Sequence, residues 1–554
     1  MRRAWLALPF VLLAACAGRT PVAAAPAAQP APLSGGAVIA APAPAAAFYS
    51  TAPSTEPVRG GADAEHLATA LVEASRARGG AMQGDGRLAA LGAWVAALVD
   101  DRGKGPPQSV YDFGARHLGI AEDAPVVMTL AGGTLQEREQ YMLQALGSMP
   151  ANIPYNRFGV VATQKSGLPV SVVVVGASLL ELEPVPRQVP VGNPVRVRGR
   201  VPAMFSNYEV VVTAPDGKVT DAGRGPAGAF EATLMPVAKG PWRVEILGAG
   251  AWGLTVLANF PVYAGAQPPS SIALQADDDQ DDASAENTAE QVQRRMFELL
   301  NQSRKEAGVP ELAPMPVLAT IAEAHSRDMA EHGFFGHVSP TTGDPSDRVR
   351  AAGLRFPIVA ENVGVGRSAR DVHRALLDSP GHRGNMLNPK LTHVGIGVVL
   401  KPRDDRFDVY ATQLFARLAR TIDVSNAQAG MLELVNARRR ESSAVPLVRD
   451  PALDAAAAAG AAAYFQHPEL TKEQVLDQVV AGMEKQAQRG LPPWKGVSRA
   501  ESFLVAAPSL EEANTFRASF DPGARYIGIG VVQGTRPGGP DNMLAVMMVV
   551  AWPK

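Results

Sequence analysis

Six of the nine histidines of this 554-residue chain, His325, His332, His337, His373, His382 and His393, fall within 69 residues, and Glu361 lies among them. Neutral imidazoles beside a carboxylate are the usual raw material of a divalent-metal site or of an acid–base pair. His382 sits in DSPGHRGNMLNP (378–389), where two prolines and two glycines read as a connection leaving a helix rather than as a regular element.

The elements that must carry these residues follow from periodicity. From Ala289 the apolar spacing is helical: Val292, Met296, Leu299 and Leu300 share one face, and Leu318, Ile321, Ala322, His325 and Met329 share another. Ser368 and Asp371 have capping-box spacing for a third helix that turns Val372, Ala375 and Leu376 inward and stops at Pro380-Gly381. VGIGVVL (394–400) and VYATQLFA (409–416) flank the charged KPRDDRFD as a two-strand hairpin. Helices followed by an antiparallel pair predict an α+β layer. On its helix His325 reads as a satisfied core histidine. His332, His373 and His393 read as surface residues, and Arg383 and Asn385 as loop braces, Arg383 with a fork toward Asp378.

The plan recurs. FELLNQSRKEAGVPEL (297–312) is echoed by LELVNARRRESSAVPL (432–447), HVGIGVV by YIGIGVV (526–532), the His337 segment by YFQHPEL around His467, and AENV around Glu361 by AESF around Glu501. The counterpart of the His382 segment, ASFDPGAR, has no histidine. A fainter echo over 67–98 and 157–176 predicts a further degenerate copy at 59–180.

HVSP, AEN, SPGHRGNMLNP, VGIGVV and YATQLFA, in that order over 290–420, resemble the bacterial branch of the CAP superfamily, which includes cysteine-rich secretory proteins, venom antigens and plant pathogenesis-related proteins. The resemblance implies an α-β-α sandwich with a cleft of two histidines and two acids, with His337 and His382 as the histidines and Glu361 as one acid. The second acid has no clean counterpart; by position it falls at Asp378 or Ser379, and only Asp378 is acidic. A metal bound by His337, His382 and Glu361 would be Zn²⁺ or another divalent ion. Without metal, Glu361 beside either imidazole would form an acid–base pair. The bland alternative is that the two histidines only hydrogen-bond backbone and that Glu361-Asn362 brace neighbouring loops.

Around this domain, 183–264 reads as short β-runs broken by turns, with Asp216-Gly217 as one hairpin turn, and predicts an all-β immunoglobulin-like sandwich. Residues 265–289, with the acidic cluster Asp277–Asp282, read as a solvated linker, and 421–554 as a degenerate CAP-like repeat. At the start, Arg2 and Arg3 precede a short apolar run, a secretory signal over 1–15. Its end, Leu13-Ala14-Ala15-Cys16, resembles a bacterial lipobox, which makes Cys16 the lipidation site and 16–58 an Ala/Pro-rich tether. No other cysteine exists, so cores rather than disulfides must hold the exported chain. A net charge of −2 excludes nucleic acid as a partner class.

The expected protein is therefore an envelope lipoprotein, leaning toward the outer membrane, that meets an extracellular ligand, lipid or protein through its cleft. Two alternatives stand beside it. One is a metal-assisted hydrolase, a peptidase or cell-wall amidase working through His337, Glu361 and His382; the other is a rigid spacer with a vestigial cleft.

Overall fold

The computed structural model describes residues 38–54, 61–101, 103–123, 125–274, 287–403, 406–419, 421–490, 496–537 and 539–554. The signal stretch, Cys16, most of the tether and Asp277–Asp282 lie outside the described residues. Two compact units form. One takes the chain to Arg348 with 360–390 and 394–415, and the other takes 349–359, 391–393 and 416–554.

The first unit opens with a four-stranded sheet ordered Gln83–Gly84, Arg157–Lys165, Leu168–Gly176, Val126–Ala131. Its third strand is buried on both faces. Val170, Val172 and Val174 enter a core with Leu91 and Val95 of the helix Gly86–Leu98, whereas Val173 and Val175 face Leu67, Leu71 and Met142. Strand side chains alternate, so helices must cover both faces and the module is an α-β-α layer.

Residues 181–264 fold as two sheets around one core. One is ordered Gly228–Leu234, Val195–Val201, Glu181–Leu182. The other is ordered Val219–Pro226, Asn207–Thr213, Gly240–Gly250, Gly253–Ala264, Gln188–Val189. Val197, Phe230, Val210, Val244 and Phe260 meet between them. The hairpin turn expected at Asp216-Gly217 is present, with Gly217 at φ +82° and its N–H donating to Ala214 O at 2.9 Å.

Between 289 and 417 the sheet order is Ala313–Pro314, His393–Arg403, Arg406–Arg417, Ile358–Gly366. The helix Ala289–Glu306 is capped by Thr288 and Gln291 in a reciprocal box. The helix Pro316–His332 lies directly on the sheet because Gly395 and Gly397 present no side chain. A Cβ on Gly397 would sit 1.9 Å from Glu323 N. The VGIGVV sequence is thus a helix-docking strand as well as a hairpin arm.

In the second unit the order Val448–Arg449, Tyr526–Gly534, Met543–Pro553, Val497–Ala507 repeats that arrangement, again with cores on both faces. Side chains match as well. Asn301 exchanges hydrogen bonds with Leu312 (2.9 and 3.1 Å), and Asn436 does the same with Leu447 (2.7 and 3.0 Å). Among the described residues no helix is long and apolar enough to cross a membrane.

Candidate functional site

His337 follows the helix Pro316–His332, in a segment that turns through Gly333 (φ +65°) and Gly336 (φ +159°). Glu361 lies within the strand Ile358–Gly366. His382 lies in a seven-residue helix, Pro380–Met386, where the sequence predicts a connection. Ser379 caps that helix, accepting from His382 N at 3.3 Å, and Pro380 occupies its first position, where a missing N–H costs nothing. Asn385 then donates to Glu361 O (3.2 Å) and Asn362 Oδ1 (3.0 Å), which holds the His382 helix against the Glu361 strand.

The three candidates are thereby brought together. His337 Nδ1 stands 3.0 Å from Glu361 Oε1, and the His337 and His382 rings have centroids 6.0 Å apart. The other Glu361 oxygen accepts from Arg348 Nη2 at 2.5 Å. Burial alone would raise this carboxyl, but the Arg348 guanidinium and the His337 hydrogen bond outweigh it and hold the group down at about 2. An ionised carboxylate only accepts, so His337 Nδ1 carries a hydrogen and donates it to Glu361, which leaves Nε2 as the ring nitrogen turned away from the carboxylate. His382 is held neutral, with its pKa lowered to about 3 by burial and then by the charge of His337.

Arg348 was not apparent from the sequence. It lies on a short helix, Pro345–Ala351, and besides Glu361 it donates to His337 O (3.1 Å) and Gly343 O (2.7 Å). It binds the loop of one site residue to the carboxylate of another. His325 is the satisfied core histidine expected: 1 % exposed, Nε2 against Gly336 O at 3.0 Å and 3.9 Å from Glu361.

Three expectations need correction. Asp378 does not join the cleft residues; it pairs with Arg243 at 3.0 Å, and that pairing replaces the Arg383 fork. His373 is buried, not at the surface, bonded to Ser303 Oγ at 2.9 Å, because it stands four residues from buried Ala369 on the inward face of its helix. In the second unit His467 and Glu501 turn to near neighbours, Glu469 (3.1 Å) and Arg499 (3.4 Å). His332 is exposed as expected and pairs with Asp328 at 2.7 Å. His393 is half-buried and bonded to Thr392 Oγ1 at 2.9 Å.

The donor set bears on the metal expectation. Both Glu361 oxygens are engaged, and among the described residues no group of three or more His, Cys, Asp or Glu side chains stands close enough to hold an ion. The donors left for a divalent ion would be the two imidazoles, with Glu361 orienting His337 from behind.

Residues 297–415 match the family model described as CAP, the cysteine-rich secretory protein family. The chain thus carries a CAP domain within a mixed α/β fold. Two relatives come from Bacillus subtilis (strain 168). The uncharacterized protein YkwD is 35% identical over 117 residues, 21% of this chain and 46% of the relative. The uncharacterized membrane protein YlbC is 33% identical over 110 residues, 19% of this chain and 31% of the relative. The chain spans less than half the length of either. Among solved structures, an extracellular protein containing a SCP domain from Bacillus anthracis str. Ames is 21% identical, covering 44% of this chain and 86% of that one at a TM-score of 0.21. An outer surface protein from Borrelia burgdorferi is 18% identical, covering 24% of this chain and 96% of that one, also at 0.21.

Proposed function

We propose that this chain is a lipid-anchored bacterial envelope protein whose CAP domain binds an extracellular ligand through the His337–His382 cleft, with a divalent ion as part of the binding surface. The observation that carries the reading is the contact of His337 Nδ1 with Glu361. Glu361, kept ionised by Arg348, takes the Nδ1 hydrogen and leaves Nε2 available beside the neutral imidazole of His382. A bound ion would supply Lewis acidity and an open position for a ligand oxygen.

The same geometry weighs against the hydrolase reading. Activating water would require Glu361 to accept a proton, and a carboxyl held at about 2 with both oxygens engaged is a poor base near neutral pH. The 59–180 and 421–554 modules, which share the strand order of the CAP sheet, we read as degenerate copies, and the two-sheet module as immunoglobulin-like.

Titration of the mature chain with Zn²⁺ tests the cleft. About one ion bound, with affinity lowered at least tenfold in both His337→Ala and His382→Ala, is the expected result. No binding, or binding indifferent to both substitutions, overturns the metal reading. The anchor is tested separately. Cys16→Ser should move the protein from the membrane to the soluble fraction, and unchanged fractionation would remove the lipid from the proposal.

A further inference from the structure

Several contacts anchor the two histidine segments to the β-sandwich within four residues of His337 or His382. Trp252, at the turn between the strands Gly240–Gly250 and Gly253–Ala264, accepts at its carbonyl from His337 N (2.9 Å) and Val338 N (3.1 Å). Its ring stacks on Phe334 with centroids 5.4 Å apart. From the middle of the first of these strands, Glu245 accepts the Gly381 N–H at 2.8 Å, immediately before His382. Arg243 pairs with Asp378, and Asn259 Nδ2 donates to Asp378 O at 3.1 Å, which secures the start of the same segment.

The approach at the Trp252 turn is close enough to require glycine. A Cβ on Gly253, which has φ +91°, would lie 2.9 Å from His337 Cβ, and one on Gly381 would lie 3.0 Å from Glu245 Oε2. Glu245 is 0 % exposed. A carboxylate withdrawn from water in a sandwich of apolar strands is costly, and mere packing between modules would be served better by an apolar side chain.

We propose that the β-sandwich is part of the cleft's machinery, with Glu245 and the Trp252–Gly253 turn as positioning residues that hold the His382 helix and the His337 loop at their working separation. The inference rests on the reading of the cleft as a binding site and adds that the CAP segment alone is an incomplete one. It follows that the binding geometry belongs to the chain from the sandwich onward, and that ligand reach to His337 is limited on one side by the Trp252 turn.

The test uses the mature chain, metal-free, labelled with ¹⁵N-histidine, in the variants Glu245→Ala, Glu245→Gln and Val197→Ala. Val197 lies in the sandwich core, away from the cleft contacts, so its variant reports loss of sandwich stability alone. In Glu245→Ala the NOE between the ring protons of His337 and His382, whose centroids lie 6.0 Å apart, should weaken at least twofold as the His382 helix loosens. Glu245→Gln, which keeps an acceptor oxygen, should restore most of the original NOE, and Val197→Ala should leave it unmoved. An unchanged NOE in Glu245→Ala, or an equal change in Val197→Ala, overturns the proposal. Because the readout needs no metal, a failure to bind Zn²⁺ would strike the metal reading and leave this result to stand or fall independently.

Discussion

Replacing Arg348 with Met should cost the CAP domain about 3–5 kcal/mol, the usual penalty for leaving a buried charge without its partner. Arg348 and Glu361 side chains are 4 % and 1 % exposed, and no nearby solvent can take over the role of the guanidinium. The pH dependence should change sign as well. In the native chain the Glu361 carboxyl sits at about 2 in place of the usual 4.5. Its contribution, on the order of 3 kcal/mol, is present above pH 4.5 and lost as pH falls through 2.

Without Arg348, burial dominates and the carboxyl moves above its ordinary value, so Glu361 favours the fold in acid and opposes it as pH rises. His382 and His373, both lowered by burial, take up protons more readily when unfolded. They disfavour the fold as pH falls below about 6.5; His373 does so equally in both proteins, whereas His382 and the lowered His325 also lose the attraction of Glu361 once that carboxyl is neutral. Hydrogen exchange of the Val394–Val398 amides, followed from pH 3 to 7, reads the stability of this sheet apart from the other modules. A loss under about 1 kcal/mol with an unaltered pH slope would show that Glu361 does not depend on Arg348. Adding Glu361→Gln to Arg348→Met should recover part of the loss, because the stranded charge is removed.

Arg304→Ala should be as damaging, by a different route. Arg304 is fully buried at the C-terminal end of its helix and donates to the carbonyls of Pro310 (2.7 Å), Met386 (2.6 Å) and Asn388 (3.2 Å). Burial lowers its pKa to about 10, which still leaves it charged at neutral pH. Truncation leaves three carbonyls without their donor, at about 1–3 kcal/mol each, and opens a cavity, so a loss of about 3–5 kcal/mol is expected. Lys at 304 should rescue little, since one ammonium cannot reproduce the planar fork.

Arg439 supplies an internal control. It donates in the same pattern to Val445 (2.7 Å), Ser519 (2.6 Å) and Asp521 (2.9 Å), so Arg439→Ala should destabilise the second unit by a similar amount. If exchange at Ile527–Val531 stays native in that variant, the buried arginine is not the staple described here. Met386 ends the His382 helix and Asn388 lies just beyond it, so Arg304 also sets where that helix ends.

Much of the fold was legible in residue periodicity. The helices Ala289–Glu306 and Pro316–His332, the hairpin after His393 and the Asp216-Gly217 turn all appear where apolar spacing and turn chemistry place them. The strand holding Glu361 was less legible, because a glutamate and an asparagine interrupt its apolar run at the point where they are drawn inside to bond Arg348 and Gln413. The His382 helix carried a readable signal, Ser379 at the cap and Pro380 at the first turn, outweighed by the two glycines that follow within five residues.

Residue type and order by themselves singled out the two histidines and the glutamate that the fold brings together, and showed that one of two similar stretches of sequence keeps the His382 segment while the other does not. They determined this because side-chain chemistry and local periodicity are properties of short stretches of chain. Only the tertiary structure decided that Arg348 holds Glu361 ionised, that Asp378 turns away to Arg243, and that Glu245 and Trp252 of the β-sandwich reach the two histidine segments. Each of these is a contact between residues 13 to 136 positions apart, made by hydrogen bonds or an ion pair whose partners no local pattern encodes, and those of Glu361 and Glu245 acquire their strength from burial that exists only once the chain has packed.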